Sequence, residues 1–304
     1  MSRHVAILMG GWSTEREVSL VSGAAVAEAL VELGHRVSPI DVDRNAGREI
    51  TKLAPDVVFN ALHGRYGEDG CFQGLLEVMG IPYTHSGVLA SALAMDKPVA
   101  KTMFAREGLR CAEGRVVHRD EVLAGEVMEV PYVIKPLNEG SSVGVKIVLE
   151  GDNCVPEADE PWDFGDQVLV ERYIPGREIH VAVMGDAAVG AVEIRPKGRF
   201  YDYQAKYTEG FAEHLMPAPM APERYRESLD IALRAHVALG CRGVSRADLR
   251  FDEESAEEGG FYLLEINTQP GMTPLSLVPE IAAHSGIGFV ELVEWMLEDA
   301  GCQR

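Results

Sequence analysis

Two runs near the end of the chain decide its fold: Val244-Ser-Arg-Ala-Asp-Leu-Arg-Phe251 and Phe261-Tyr-Leu-Leu-Glu-Ile-Asn267. The first run alternates apolar with polar residues, and the second is apolar as far as Leu264. Both patterns are typical of β-strands. A strongly polar segment, residues 252–260, separates them. The pattern therefore predicts an antiparallel hairpin with a long connection.

The predicted pairing brings four polar side chains together. In a symmetric hairpin Asp248 lies opposite Glu265 and Arg246 opposite Asn267, and alternation puts all four on one face. Two opposed carboxylates repel unless a cation lies between them, and Asp, Glu and Asn offer the hard oxygen ligands that Mg²⁺ prefers. We interpret this face as a magnesium site. The alternative is a solvated hairpin face closed by an ion pair between Arg246 and Asp248.

The charge and length of the chain limit its class. It has 304 residues, with 28 basic and 48 acidic side chains and a net charge of −20. Such an excess of negative charge disfavours nucleic acids and anionic membranes as partners. The length exceeds one typical domain and predicts two or three compact units.

Cysteine usage and hydropathy indicate the compartment. Five cysteines are scattered without the spacing of a metal or redox motif, and their odd number argues against a disulfide framework. The apolar run at the start is too short for a secretory signal, and no stretch reaches the length of a membrane span. We therefore expect a soluble, cytoplasmic protein.

The first third of the chain alternates strand and helix. Strands are predicted at His4–Met9, Val37–Val42 and Asp56–Leu62, and Thr14-Glu-Arg-Glu17 resembles a capping box that opens a helix. This order is typical of a parallel α/β sheet, whose ligands gather at the carboxyl ends of the strands.

Glu15 and His63 fall at those carboxyl ends and are candidate ligand-binding residues. Each also has a structural interpretation, Glu15 as a partner of the helix dipole and His63 as a hydrogen-bonded turn residue. Gly10-Gly11 lacks the rest of a dinucleotide-binding fingerprint, which argues against an oxidoreductase.

The middle of the chain contains two candidate ligand loops. A predicted strand, Val130–Pro136, is followed by the small, hydroxyl-rich loop Asn138–Val145, which could bind phosphate through backbone N–H groups or be a plain hairpin turn. It is not a Walker loop, since no Gly-Lys-Ser/Thr follows. Residues 200–222 are predicted to be irregular, and a long ordered loop in a compact domain is usually functional.

Five motifs occur in one order along the chain: Gly10–Ser19, His63–Gly70, Lys135–Gly144, Tyr201–Tyr207 and Glu265–Pro279. Together they resemble the ATP-grasp ligases, and most closely the D-alanine–D-alanine ligase family. The resemblance spans nearly the whole chain.

The resemblance implies a mixed α/β and α+β architecture, an ATP-grasp fold preceded by a parallel α/β domain. It implies three domains: an N-terminal substrate domain at 1–94, a central small domain at 95–176 and a C-terminal catalytic domain at 177–304. It also implies ATP-dependent ligation of two D-alanines through an acyl phosphate, for peptidoglycan precursors. Two Mg²⁺ ions, with Mn²⁺ as a substitute, and a homodimer are expected from the family.

The resemblance also assigns residues, motif by motif. Those implied to bind ATP are Lys97 and Lys135 at the phosphates, Glu171 and Ile174 at the adenine, and Glu178 at the ribose. Those implied to bind metal are Asp248, Glu265 and Asn267. Those implied to be catalytic are Glu15, Ser141, Tyr207, Arg246 and Gly271. Those implied to bind the substrate are His63, Lys206, Ser276 and Leu277.

Some features depart from the family pattern or leave alternatives. Leu137-Asn138 and Trp12 replace more usual residues beside the motifs. His214 could favour a hydroxy acid as second substrate or be a solvated loop residue. A depsipeptide ligase is a near alternative, against which the Lys206-Tyr207 pair argues. A ligase for other small acids and a nucleotide-binding protein without catalysis are the other readings.

Overall fold

The computed structural model describes residues 2–125, 127–140, 143–151, 165–198, 208, 210–253 and 259–303. The first sheet has the order β2-β1-β3, all parallel, which confirms the predicted α/β unit. Its strands are β1 (His4–Met9), β2 (Arg36–Asp41) and β3 (Val57–Asn60). The first four helices of the chain are α1 (Arg16–Glu32), α2 (Ala46–Leu53), α3 (Cys71–Met79) and α4 (Val88–Met95), and Ala90 of α4 packs in the core of the third sheet.

The second sheet is antiparallel and has the order β4-β7-β5-β6. Its strands are β4 (Gly114–His118), β5 (Tyr132–Pro136), β6 (Lys146–Val148) and β7 (Gln167–Arg172). Helix α5 (Lys97–Arg106) precedes β4 in the chain, and helix α6 (Arg119–Ala124) follows it. Asp96 caps α5, because its carboxylate accepts a hydrogen bond from the Val99 N–H and Pro98 occupies the first turn.

The third sheet is also antiparallel and has the order β10-β9-β8-β11-β12. Its strands are β8 (Arg177–Met184), β9 (Ala187–Pro196), β10 (Ala212–Leu215), β11 (Val244–Asp252) and β12 (Gly260–Asn267). The last helices are α7 (Pro222–Ala238), α8 (Leu277–His284) and α9 (Phe289–Asp299). The prediction that residues 200–222 are irregular throughout is wrong, because β10 pairs with the end of β9.

The hairpin of β11 and β12 has the predicted register at the four polar residues. Asp248 pairs with Glu265, but Leu249 pairs with Leu263, so Leu264 is the extra residue of a β-bulge. The bulge lets Leu263 pack in the core of the third sheet while Glu265 faces the other way. A strictly alternating strand would put those two side chains on the same face.

The predicted capping box at the start of α1 is wrong. Glu15, not Thr14, is the N-cap residue, and its side chain makes no capping hydrogen bond. The turn is instead closed by Ser13, whose hydroxyl oxygen accepts from the Glu15 N–H and whose carbonyl accepts from the Arg16 N–H. The Glu15 carboxylate is buried and lies beside Gly64 and Gly140 instead of capping the helix.

One hydrophobic core joins the two ends of the chain. It contains Val5 and Ile7 of β1 together with Val192 of β9 and Leu292 and Met296 of α9. Burying each such side chain contributes about 1.5–3 kcal/mol. The N-terminal sheet is thereby fixed against the third sheet. Within the described residues, no helix is both long and apolar enough to span a bilayer.

Candidate active site

A cavity of about 480 Å³, here called the main cavity, is lined by residues of the second and third sheets. Seven residues that the sequence singled out lie on its wall: Lys97, Lys135, Glu171, Ile174, Glu178, Asp248 and Glu265. They come from both sheets and from the start of α5. A ligand in the main cavity would therefore contact elements far apart in sequence.

Glu171 is the centre of charge at one end of the main cavity. Its two carboxylate oxygens contact Lys101 and Lys135, the second at 2.5 Å. Burial would raise the pKa of Glu171, but the two ammonium groups outweigh it and the net pKa is lowered. Burial likewise would lower the pKa of Lys135, and Glu171 outweighs it, so the net pKa is raised. Glu171 and Lys135 therefore stay charged at neutral pH.

Asp248 is the corresponding centre on β11. Arg246 binds it through two N–H groups at 2.6 and 2.8 Å, and His180 on the neighbouring strand contacts it at 2.8 Å. Burial would raise the pKa of Asp248, but Arg246 and His180 hold it well below its usual range. The ion pair of the alternative interpretation is thus present, yet the carboxylate is buried, with 4% exposure, rather than solvated.

Glu178 is held from two sides. Its Oε1 lies 3.1 Å from His180 Nε2 and its Oε2 lies 3.4 Å from Arg250 Nη1. Burial would lower the pKa of His180, whereas Asp248 and Glu178 raise it, and the net pKa is raised. His180 and Arg250 therefore fix two carboxylates that line the main cavity.

The residues interpreted as metal ligands fit magnesium by their chemistry. Asp248 is a carboxylate at neutral pH, as a metal ligand must be. Glu265 lies opposite it, and Asn267 follows two residues later. Among the described residues no group of three His, Cys, Asp or Glu could hold a metal, so the set depends on the Asn267 amide. Mg²⁺ commonly takes one or two carboxylates and completes its shell with phosphate and water.

Lys97 joins the main cavity to a second, smaller site. Its ammonium donates to the Glu139 carbonyl at 2.5 Å and lies 3.8 Å from Glu265 Oε2. The second site, here called the acidic cleft, is lined by Glu68, Lys97, Glu139, Gly140, Glu265 and Asn267, among others. Glu265 and Lys97 thus border both sites.

Two carboxylates converge on Gly140 beside the acidic cleft. A Cβ built on Gly140 would lie 2.9 Å from Oε2 of Glu15 and 3.3 Å from Oε1 of Glu68. Glu68 Oε1 accepts a hydrogen bond from the Gly64 N–H at 2.9 Å. Burial and the neighbouring Glu15 raise the pKa of Glu68 well above its usual range. This geometry suits a bound ammonium group, which would lie between carboxylates.

His63 lies in the same region and is buried. Its Nε2 is 3.3 Å from the Ser22 hydroxyl. Burial lowers the pKa of His63 to about 4, a shift that a hydrogen bond with the Gln269 backbone partly offsets. The imidazole is therefore neutral at pH 7. This agrees with its interpretation as a hydrogen-bonded turn residue.

Gln269 fastens the loop that carries His63. Its side-chain oxygen accepts from Asn60 at 3.0 Å and Gln73 at 3.4 Å, and its amide donates to the Leu62 carbonyl. These buried amides link the first sheet to the segment that follows β12. They hold the His63 loop in place.

The structure brings Gly271 and Ser276 together at the start of α8. A Cβ on Gly271 would lie 2.7 Å from the Ser276 hydroxyl, which contacts Thr273 at 2.9 Å. Leu277 is the first residue of α8; its side chain is in the core, so only its backbone can meet a ligand. Ser141, Lys206 and Tyr207 lie outside the described residues. His214, on β10, contacts Glu280 of α8 at 2.6 Å.

Sequence reasoning missed four charged residues of the site. Arg250 follows Asp248 by two positions, so alternation along the strand could have found it. Lys101 follows Lys97 by one helical turn, so helical spacing could have found it as well. Glu68 lies within the motif His63–Gly70, but the resemblance assigns it no role. His180 lies next to Asp248 only because β8 neighbours β11, and no local pattern in the sequence predicts that neighbour.

Comparison with known proteins confirms the family resemblance. A family model described as the D-ala D-ala ligase C-terminus matches residues 104–298, and one described as the D-ala D-ala ligase N-terminus matches residues 44–86. The D-alanine–D-alanine ligase of Parvibaculum lavamentivorans is 56% identical over 305 residues, covering 100% of this chain and 99% of that protein.

Solved structures with the same fold include two ligases. D-alanine–D-alanine ligase from Bacillus anthracis, complexed with ATP, has a TM-score of 0.81 and 29% identity, covering 98% of this chain and 97% of that chain. The VanG D-Ala:D-Ser ligase from Enterococcus faecalis has a TM-score of 0.80 and 28% identity, covering 98% of this chain and 99% of that chain.

Proposed function

The chain belongs to the D-alanine–D-alanine ligase family, and from this premise we propose how its residues carry out the reaction. The enzyme joins two D-alanines in an ATP-dependent ligation for peptidoglycan synthesis. One observation supports a two-part site most directly. The main cavity, whose wall includes Lys97 and Lys135, and the acidic cleft meet at Lys97 and Glu265, so a phosphate and an amino acid can be held next to each other.

In the proposed first step, the carboxylate of one D-alanine attacks the γ-phosphate of ATP and an acyl phosphate forms. Such a transfer depends on position and on neutralised charge. Lys97 and Lys135 would contact the phosphates, Ile174 and the Glu171 backbone would contact the adenine, and Glu178 would bind the ribose. Support comes from their shared position on the wall of the main cavity.

Asp248, Glu265 and Asn267 would hold two Mg²⁺ ions. Bound there, the ions would neutralise phosphate charge and orient the transferred group. The Arg246 and His180 contacts keep Asp248 ionised and fixed for this role.

In the proposed second step, the amine of the second D-alanine attacks the acyl group and phosphate leaves through a tetrahedral intermediate. Arg246 and the Gly271 N–H would stabilise the oxyanion, and one such donor is worth about 3 kcal/mol. The second carboxylate would be bound by Lys206, Ser276 and the Leu277 backbone; support comes from the start of α8, where N–H groups favour an anion.

Glu15 would bind the ammonium of the first D-alanine, with His63 beside it. Support comes from the buried carboxylates of Glu15 and Glu68 around Gly140. Glu15, Ser141 and Tyr207 would form the hydrogen-bonded set that closes loops over the intermediate and helps deprotonate the incoming amine. Closure would protect the acyl phosphate from water.

Three further proposals concern the whole molecule. We propose the domain boundaries 1–94, 95–176 and 177–304, a cytoplasmic location where ATP is available, and a homodimer as in the family. The three sheets, which fall within those three ranges, support the boundaries. Sedimentation velocity tests the dimer, and a single species with the mass of one chain would refute it.

The reaction is tested by ATP-dependent phosphate release with D-alanine alone, and then with D-alanine plus D-lactate or D-serine. The products are weighed by mass spectrometry. We expect D-alanyl-D-alanine in every mixture and no depsipeptide. A mixed product as the main species would assign the enzyme to another second substrate.

The metal is tested in the same assay. Removing divalent cations with a chelator should stop phosphate release, and Mg²⁺ or Mn²⁺ should restore it. Full activity in the presence of the chelator would refute the proposed metal site.

A further inference from the structure

Glu171 lies between two lysines from different elements. Lys135 on β5 contacts its Oε2 at 2.5 Å, and Lys101 on α5 contacts its Oε1. The Lys101 ammonium also donates to the Ala112 carbonyl at 2.7 Å. All three charged side chains are largely buried. One carboxylate balances one ammonium, so this group of three carries a surplus positive charge.

The two lysines lie on different sides of the carboxylate. Lys135 lines the main cavity together with Glu171. Lys101 lines a separate shallow groove, which it shares with Arg106 and Arg115. A ligand in the main cavity therefore meets Lys135, while Lys101 stays behind Glu171.

The backbone of β4 packs closely against the Glu171 side chain. A Cβ on Gly114 of β4 would lie 2.8 Å from Glu171 Cγ and 2.6 Å from the Val170 carbonyl oxygen. Any side chain at Gly114 would displace Glu171 from the two lysines. Lys101 is held on its own side as well, because α5 is capped by Asp96 one turn before it and its ammonium binds Ala112.

We propose that Lys101 is a positioning residue that keeps Glu171 neutralised while Lys135 turns from Glu171 to the phosphates of ATP. This inference rests on the proposed function, in which Lys135 contacts the nucleotide. Without Lys101, release of Lys135 would leave a buried carboxylate with no cation, which is strongly unfavourable. Glu171 would then retain Lys135, and the phosphates would lose a charged donor.

The first test is nucleotide binding by isothermal titration, which does not depend on ligation. Lys101→Met should weaken the binding of ADP with Mg²⁺ by about 20-fold, because a charge-assisted contact to phosphate is lost. Adenosine, measured by competition, carries no phosphate and should bind as in the parent enzyme. Lys101→Arg should restore ADP binding, and Lys52→Met, an exposed lysine of α2, is the matched control.

The second test removes the carboxylate that would trap Lys135. In the double variant Lys101→Met/Glu171→Gln, Lys135 has no anion to retain it, so ADP affinity should recover about tenfold relative to Lys101→Met. In steady-state assays, Lys101→Met should raise the KM for ATP with little change in kcat. If Lys101→Met does not fold, Lys101→Gln keeps a neutral hydrogen bond to Glu171 and addresses the same question.

Three results would overturn the inference. Equal weakening of ADP and adenosine would mean that Lys101 only packs the adenine end of the main cavity. Unchanged ADP affinity in Lys101→Met, or no recovery in the double variant, would mean that Glu171 does not compete for Lys135. A parent enzyme that binds ADP normally but forms no dipeptide would refute the proposed function instead, and the binding comparison would still stand.

Discussion

The main cavity and the acidic cleft meet at Glu265, yet their buried carboxylates have pKa values shifted in opposite directions. In the main cavity, Glu171 and Asp248 each contact two basic side chains, and their pKa values are lowered. Beside the acidic cleft, burial and Glu15 raise the pKa of Glu68. The first arrangement places lysines on the wall of a cavity that could hold phosphate. In the second, burial disfavours the charged form of Glu68, and an ammonium group bound beside it would stabilise that form. The two halves are therefore complementary to the two kinds of substrate.

The largest expected effect follows from breaking the main cavity at Asp248. Asp248→Asn should raise the activation barrier by about 4 kcal/mol, and so lower kcat roughly 1,000-fold, because a metal ligand is lost. Steady-state kinetics at saturating ATP and D-alanine measures this. Asp230→Asn, an exposed acid of α7 paired with Arg234, is the control and should leave kcat unchanged. More than a tenth of the parent kcat in Asp248→Asn would contradict the metal assignment.

A change on the other side of the comparison should affect the other substrate. Glu15→Gln removes the charge proposed to bind the ammonium of the first D-alanine, and the KM for that D-alanine should rise about 100-fold. The affinity for ATP should stay the same. Glu17→Gln, an exposed acid in the same helical turn, is the matched control. A loss of ATP affinity in Glu15→Gln would mean that the charge of Glu15 also acts on the nucleotide in the main cavity.

The acidic cleft receives no positive charge from His63 at neutral pH. The lowered pKa of His63 also makes the free energy of unfolding depend on pH. The folded pKa is about 4 against an ordinary value of 6.5, so the unfolded chain binds the proton more readily. The stability that the folded state gains by keeping His63 neutral is fully present above pH 6.5 and is lost as the pH falls toward 4. At pH 5 it should cost about 2 kcal/mol relative to pH 7.

Chemical denaturation at pH 7 and pH 5 measures this loss. In His63→Gln the part due to His63 should disappear, so the variant should be less sensitive to pH than the parent. His236 is also buried and neutral, with a pKa lowered by burial to about 4, so some sensitivity should remain. An identical pH dependence in the parent and His63→Gln would show that His63 is not the group responsible.

The smallest expected effect on activity comes from a single methyl group. Gly140→Ala would place a Cβ within 2.9 Å of Glu15 Oε2, so the carboxylate must shift and the KM for D-alanine should rise about tenfold. Gly74→Ala is the control, since its Cβ would meet only Val88 at 4.0 Å. Parent-like D-alanine kinetics in Gly140→Ala would show that the carboxylates have more freedom than their geometry indicates.

The sequence predicts the main cavity better than the acidic cleft for a physical reason. The main cavity depends on strands, and strand alternation and hairpin pairing are local rules, so the pairing of Asp248 with Glu265 is confirmed. The acidic cleft depends on loops from distant parts of the chain, and no periodicity places Glu68 beside Glu15. The family resemblance assigns Glu15 and His63 to one substrate but gives Glu68 no role.

The errors have the same origin. The predicted capping box at Thr14 is wrong because Ser13 closes that turn, and this depends on a loop that two glycines precede. The bulge at Leu264 was not predicted, since the pattern of the strand contains no glycine or proline to mark it. Lys101 was overlooked because its partner Glu171 comes from a strand 70 residues later in the chain.

The hydrophobic core shared by both ends of the chain determines how the protein can be made. Val5 and Ile7 are synthesised well before Leu292 and Met296, which pack in the same core. Until α9 has been made, this face of the N-terminal sheet is covered only in part, by Val26, Ala29 and Leu30 of α1, and exposed apolar surface of this kind promotes aggregation. The nascent chain therefore completes this core only after α9 has been synthesised, and a truncated product lacking α9 would leave part of that face exposed.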